Sequence, residues 1–187
     1  MSTAALASMP EGVDTVNVDA TRETLIRVGT AMVDADGIAA VGVRSVAAAA
    51  GLSHGAPRRY FPTLAALLAA IAREGVDDLD RALAPALARG VGDAAVAYWR
   101  FSVERPHMFD LIFRHDLLGG AGGDLREVTR PWIDALAERL DGIDRAIELW
   151  SAIHGLCVLA RTAAIASAGI TVDEGYVRAV AERLAAA

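Results

Sequence analysis

Arg44, Arg58 and Arg59, together with His54 and Arg73, fall inside a run of 37 residues, Gly37 to Arg73, that contains no aspartate or glutamate. The chain has 24 acidic residues, and even spacing would place about five of them in this window. Arginine offers a planar fork of donors that fits phosphate oxygens and the O6/N7 edge of guanine. A formal net charge of -6 would repel a polyanion if spread evenly, so a local basic surface on this chain points to a polyanionic partner. All 18 basic residues are arginine, which reflects composition and carries no functional weight.

Other residue patterns suggest other chemistry. Gly51, Ser53 and Gly55 satisfy G-x-S-x-G, the spacing of a hydrolase nucleophile elbow, but that motif needs a strand ahead of the serine. Four alanines precede Gly51 and no alternating strand-helix pattern occurs, so the hydrolase reading is disfavoured. His154 and Cys157 stand three apart on one helical face, where a thiol-imidazole pair competes with the commoner arrangement of a core cysteine beside a hydrogen-bonded histidine. His107 and His115, with Glu104 and Asp110 nearby, lack zinc-ligand spacing, and neither a metal nor a cofactor is expected. Trp99, Met108, Phe109, Phe113, Trp132, Trp150, His154 and Cys157 are large or soft groups in an alanine-rich half, and helical bundles place small-molecule pockets between such side chains. At helical spacing these same residues also serve as ordinary core. His154 and Arg161 need partners because they interrupt a very apolar segment.

The elements that must position these residues are helices. Hydrophobic residues make up 54% and aromatic residues 5% of the 187, so alanine and leucine do most of the covering and an all-α fold is expected. Residues 1–20 contain Pro10 and Gly12 and read as a flexible arm. Thr21 opens a first helix that Gly37 stops. A second helix runs from about Arg44 to Ala50, Gly51 caps it, and Ser53 is placed to start a third. Two helices joined at a three-residue turn containing glycine form a helix-turn-helix. On the third helix Pro57 and Phe61 face inward, leaving Gly55 and Arg59 on the far side and His54 and Arg58 between. From Thr63 a long apolar helix reaches the low eighties, with Pro85 and then Gly90 and Gly92 as breakers. Further helices are predicted over 93–104, 106–115, 125–140, 143–168 and 172–184, with a glycine-rich loop at Gly119–Gly123.

A single cysteine excludes an internal disulfide, and the first 20 residues carry neither a basic residue nor a long apolar block, so a signal peptide is not expected. The apolar run from Ser151 to Ile170 is broken by His154 and Arg161 and reads as a buried or interface helix rather than a membrane span. A cytoplasmic location is expected.

The stretch from Gly37 to Leu67 resembles the DNA-binding segment of tetracycline-repressor (TetR-type) transcriptional regulators. The resemblance rests on Val43-Arg44, Val46-Ala47, Ala50-Gly51-Leu52-Ser53, Gly55 and Tyr60-Phe61-Pro62 followed by an apolar helix, within a chain of similar length and about nine helices. It implies a DNA-facing set of Arg44, Ser53, His54, Gly55, Ala56, Arg58, Arg59 and Tyr60. Trp150, His154 and Gly155 also resemble the Trp-His-Gly pattern in the ligand domain of one branch. The sequence departs from the family in carrying Arg58 where an aromatic is common and Leu64 where a lysine is common. One phosphate contact at the start of the fourth helix is thereby lost, and Arg58 is placed to compensate.

The resulting expectation is a DNA-binding domain over 21–66 and a helical ligand-binding and dimerisation domain over 67–187. Trp99, Phe109, Phe113, Trp132, Trp150, His154 and Cys157 would supply the ligand site, for an unknown small-molecule effector. The last two helices would form half of a four-helix bundle with a second subunit, giving a homodimer on a palindromic operator. The competing reading is a dimeric helical carrier or enzyme that does not touch DNA.

Overall fold

The computed structural model describes residues 12–53, 55, 57–118, 120 and 125–187, with side chains described from Asp19 onward. Eight α-helices, and no strand, are found among the described residues. They are α1 (Gly12–Asp36), α2 (Val43–Ala49), α3 (Leu64–Arg89), α4 (Val91–Glu104), α5 (Pro106–Ile112), α6 (Leu125–Leu140), α7 (Ile143–Arg161) and α8 (Glu174–Ala186). The all-α expectation holds.

α3 is the spine of the molecule. Leu67, Leu68, Ile71, Ala72, Val76, Leu79, Leu83 and Leu87 recur every three or four residues and are all buried, so one face of 26 residues of helix is apolar from end to end. α1, α4, α5 and α6 pack around that face. Each fully buried leucine or isoleucine of the stripe stabilises the fold by about 1.5–3 kcal/mol. Thr63 caps the start, its Oγ1 accepting from the Ala66 amide at 3.0 Å. The helix crosses the expected 66/67 junction without a break, and a single hydrophobic core runs from Leu25 and Val46 through Ile71 to Val177.

Two glycines set the closest approaches. A Cβ on Gly29 of α1 would run into Ile71, which is fully buried, and one on Gly75 of α3 would overlap Met108 of α5. The residue types are therefore dictated by packing rather than by backbone freedom.

Four expectations are corrected. Residues 12–20 are helical, not part of a loose arm. No proline or glycine interrupts residues 13 to 28, and the Thr24 hydroxyl bonds back to the Ala20 carbonyl at 2.8 Å, as a threonine inside a helix does. Pro85 does not end α3, because it sits on the exposed side, where water can satisfy the Arg81 carbonyl that loses its amide partner. α7 stops at Arg161 rather than 168. The Thr162 hydroxyl turns back to the carbonyls of Val158 and Leu159, and Ala163 takes a left-handed conformation at φ 57°, so an alanine-rich run with high helix propensity is locally overruled. The helix predicted after Ser53 is, among the described residues, only a 3-10 turn over Pro57–Arg59. No helix of the described chain is long and apolar enough to cross a membrane.

Replacing Gly29 with alanine should destabilise the protein by about 1–2 kcal/mol in urea unfolding, although alanine is the better helix former by about 1 kcal/mol. A gain in stability would show that α1 and α3 are not packed at this distance.

Candidate nucleic-acid interface and ligand cavity

α2 lies across α1 through buried Val46 and Ala47, which turns Arg44 and Ser45 outward. Ser45 accepts from the Gly42 amide at 2.9 Å and fixes the start of the helix. At its end Gly51 adopts φ 69°, and the Leu52 amide reaches the Ala47 carbonyl at 2.9 Å, a left-handed cap that alanine would strain. Beyond it the chain turns at Gly55 into the 3-10 turn. The Pro57 carbonyl accepts from the amides of both Tyr60 (3.0 Å) and Phe61 (2.7 Å). Pro57 and Phe61 are buried, as their four-residue spacing predicts, and they anchor this turn while Arg58 and Arg59 stand exposed.

Arg44, Ser53, Gly55, Arg58 and Arg59 are thus exposed on one tip, and Tyr60 is half-buried beside them. His54 and Ala56 lie outside the described residues. Among the described residues Arg44, Arg58 and Arg59 make no ion pair, whereas Arg73, at the far end of the acid-free window, donates to Asp77 at 2.9 and 3.1 Å. One further cation joins the tip. Arg22 of α1 places its guanidinium 5.4 Å above the Phe61 ring. Nothing in the spacing of Arg22 marks it in the sequence, because the contact depends on how α1 crosses the turn.

The helix α2 that precedes Ser53 occupies the place where a nucleophile elbow requires a strand. The thiol-imidazole alternative fails on geometry and protonation. Cys157 is fully buried, and burial pushes its thiol up to about 11. His154 is engaged elsewhere.

A second site lies in the other half. Val76, Leu83 and Leu87 of α3, Ala94, Ala95 and Tyr98 of α4, Ile112 and Phe113 at the end of α5, Trp132 and Leu136 of α6, and Leu149, Trp150 and Ile153 of α7 surround a cavity of about 160 Å³. Of the sequence-predicted ligand residues, Phe113, Trp132 and Trp150 line it. Phe109 and His154 form a row behind the wall, with ring centroids 5.2 Å apart and Phe113 in edge contact with both. Trp99 belongs instead to a groove beside Ser102 and Ile165, and Cys157 is sealed in the core. Tyr98 and Thr129 line the cavity without having been singled out by residue type, and His115, weighed in the sequence only as a metal ligand, lines it too.

A polar chain runs from this wall to His154. The Trp150 indole N–H donates to the Tyr98 hydroxyl at 3.2 Å, so the tyrosine proton goes to Nδ1 of His154 at 2.8 Å. Burial pushes the Tyr98 hydroxyl pKa up. Desolvation, helped by the charge of Arg161, pulls the His154 pKa below its ordinary value of 6.5 and keeps the imidazole neutral. Arg161 is itself held by a fork of two 2.7 Å hydrogen bonds to Asp110 and lies 5.5 Å over the Phe109 ring.

The corner between α4 and α5 contacts both α1 and α3. Arg105 donates to Asp34 near the end of α1 at 2.6 and 3.1 Å and also pairs with Asp78 of α3. His107 reaches the Asp34 carbonyl at 3.2 Å and packs against Gly37. This corner leads directly into α5 and so to Ile112 and Phe113 in the cavity wall.

Residues 91–182 match the family model described as "Tetracyclin repressor-like, C-terminal domain". Among curated proteins nothing matches. Among solved structures, the chain is similar to the multidrug binding protein EbrR complexed with ethidium, at 27% identity and a TM-score of 0.65 over 87% of this chain and 97% of that one. EbrR complexed with imidazole gives 25% identity and 0.66, over 87% and 93%. The flavonoid-responsive regulator FrrA shares the fold at 20% identity and a TM-score of 0.57, over 89% and 93%.

Because the native state binds the His154 proton more weakly than the unfolded chain, stability should fall as pH drops below 6.5, through the folded-state pKa. Urea unfolding between pH 7.5 and 5 would measure this, and His154→Gln should flatten the dependence. A slope of opposite sign would contradict a neutral His154.

Proposed function

We propose that this chain, which belongs to the tetracycline-repressor type by its C-terminal domain and its fold, is a ligand-responsive transcriptional repressor that binds a palindromic operator as a homodimer. The observation that carries the reading is the tip itself. Arg44, Arg58 and Arg59 are exposed, have no carboxylate partner among the described residues, and lie in the acid-free part of an acidic protein. In this reading Arg44, Arg58, Arg59 and Tyr60 hold phosphates or base edges, and Ser53, His54, Gly55 and Ala56 make up the rest of the surface that enters the groove. Arg22 adds a backbone contact from α1.

The division into residues 21–66 for DNA and 67–187 for ligand and dimer follows this assignment, with α3 shared between them. Self-association is supported by apolar side chains left open to solvent on the last two helices: Ile143, Ile147, Val158 and Leu159 on α7, Tyr176 and Leu184 on α8. Gly155 lies among those on α7, and nothing stands within 4 Å of where its Cβ would be, which leaves room for a partner helix. A two-fold axis there would present two tips to successive major grooves. The protein would work in the cytoplasm, where the DNA is.

Control follows from the cavity. An effector that fills it moves Ile112 and Phe113, and the Arg105–Asp34 clasp carries that movement to the end of α1, beside α2. An effector acts only through unequal affinity for the two arrangements, and a coupling of about 1–3 kcal/mol suffices for regulation. EbrR is a multidrug binding protein, and its similarity supports a small-molecule effector for this chain too.

The Arg58→Ala/Arg59→Ala double variant should lose at least about a hundredfold in affinity for DNA fragments selected by the wild type, and the slope of log K against log salt should flatten by about two or more. Fluorescence anisotropy measures both, with sedimentation to check that the oligomeric state is unchanged. Wild-type affinity across the salt range would contradict the proposal.

A further inference from the structure

Resting on the reading of the cavity as an effector site, we infer that the effector is a small, uncharged aromatic molecule of about one ring that carries a single hydrogen-bonding group. Size comes first. The cavity measures about 160 Å³, and an engineered apolar cavity of about 150 Å³ takes up benzene, so one ring is accommodated without rearrangement. Shape and polarizability follow from Phe113, Trp132 and Trp150, which offer ring faces and edges for stacked or edge-on contact.

Charge is decided by what the wall lacks. Among the described residues no carboxylate or guanidinium lines the cavity, so a charged ligand would lose its hydration with nothing to replace it. Half-buried Asp80 does not line the cavity, and the indole N–H of Trp132, which does, donates to it at 2.7 Å. A cation could reach Asp80 only by displacing that indole.

The hydrogen-bonding requirement comes from the remaining polar atoms. Tyr98 and both indole N–H groups are committed to protein partners. Thr129 and His115 also line the cavity, and neither makes a side-chain hydrogen bond among the described residues. A ligand hydroxyl, carbonyl or ring N–H would meet half-buried Thr129 and exposed His115, whereas a pure hydrocarbon would leave both to water.

The test uses the full-length protein at pH 8 and four probes of similar size: p-cresol, toluene, benzylammonium and benzoate. Binding is read by tryptophan fluorescence and by the shift in Tm. p-Cresol should saturate the protein, bind at least threefold more tightly than toluene, and bind at least tenfold more tightly than either ion. Thr129→Val combined with His115→Leu should reduce p-cresol to the affinity of toluene. Ala95→Leu, or Leu149→Phe if the first does not fold, should abolish saturable binding by filling the space.

Equal or tighter binding of benzylammonium would overturn the inference and implicate Asp80. So would p-cresol binding no better than toluene, insensitivity to the filling variants, or no saturation by any probe. DNA retention is measured on the same preparation. If it fails while probe selectivity persists, the regulator reading falls and the ligand class stands; the reverse outcome overturns the ligand class alone.

Discussion

A protein with six more negative than positive charges can hold DNA only where its own carboxylates have been cleared away. Here the clearing is local and complete from Gly37 to Arg73, and the fold makes spatial use of it. The buried anchors Pro57 and Phe61 turn the intervening arginines outward, and α2 does the same for Arg44 by burying Val46 and Ala47. Away from the tip most arginines are neutralised at once: Arg100 by Glu174, Arg105 by Asp34 and Asp78, Arg114 by Asp116, Arg161 by Asp110 and Arg178 by Asp93. Several of these are exposed pairs worth little to stability. Among the described residues Arg44, Arg58 and Arg59 have no such acid partner.

α3 ties the tip to the cavity. Its first turns pack under α1 and carry the caps next to Phe61, and its middle and last turns supply Val76, Leu83 and Leu87 to the cavity wall. A rigid helix shared by two sites transmits little on its own unless something else can shift against it. The Arg105 corner is the contact best placed to do so, since one guanidinium bonds both α1 and α3 at the entrance to α5.

How much of this was legible beforehand depended on whether the signal was local. The bounds of α6, the ends of α4 near Glu104 and the start of α5 at Pro106 follow from glycine and proline punctuation, and the inward Pro57 and Phe61 follow from spacing. Elements decided by competition between a side chain and the backbone were not legible, such as the end of α7 at Thr162. Pro10 and Gly12 argue against helix over residues 12–20, whereas the run from 13 to 28, free of both residue types, is helical. For the cavity, residue type identified Phe113, Trp132 and Trp150 but not which aromatics turn away: Trp99 and Trp150 are equally good candidates in sequence, yet Trp99 lines the groove beside Ser102 and Ile165 instead. Aliphatic wall residues such as Leu136 carry no chemical signature at all.

The central claim is that the arginine tip is a DNA-reading surface repeated twice in a dimer. Selection of bound fragments from the source genome, followed by footprinting at single-nucleotide resolution, tests it most directly. The account predicts a near-palindromic sequence with two protected half-sites centred about one helical turn or slightly more apart. Recovery of no enriched fragment, or protection of a single unpaired site, would contradict it.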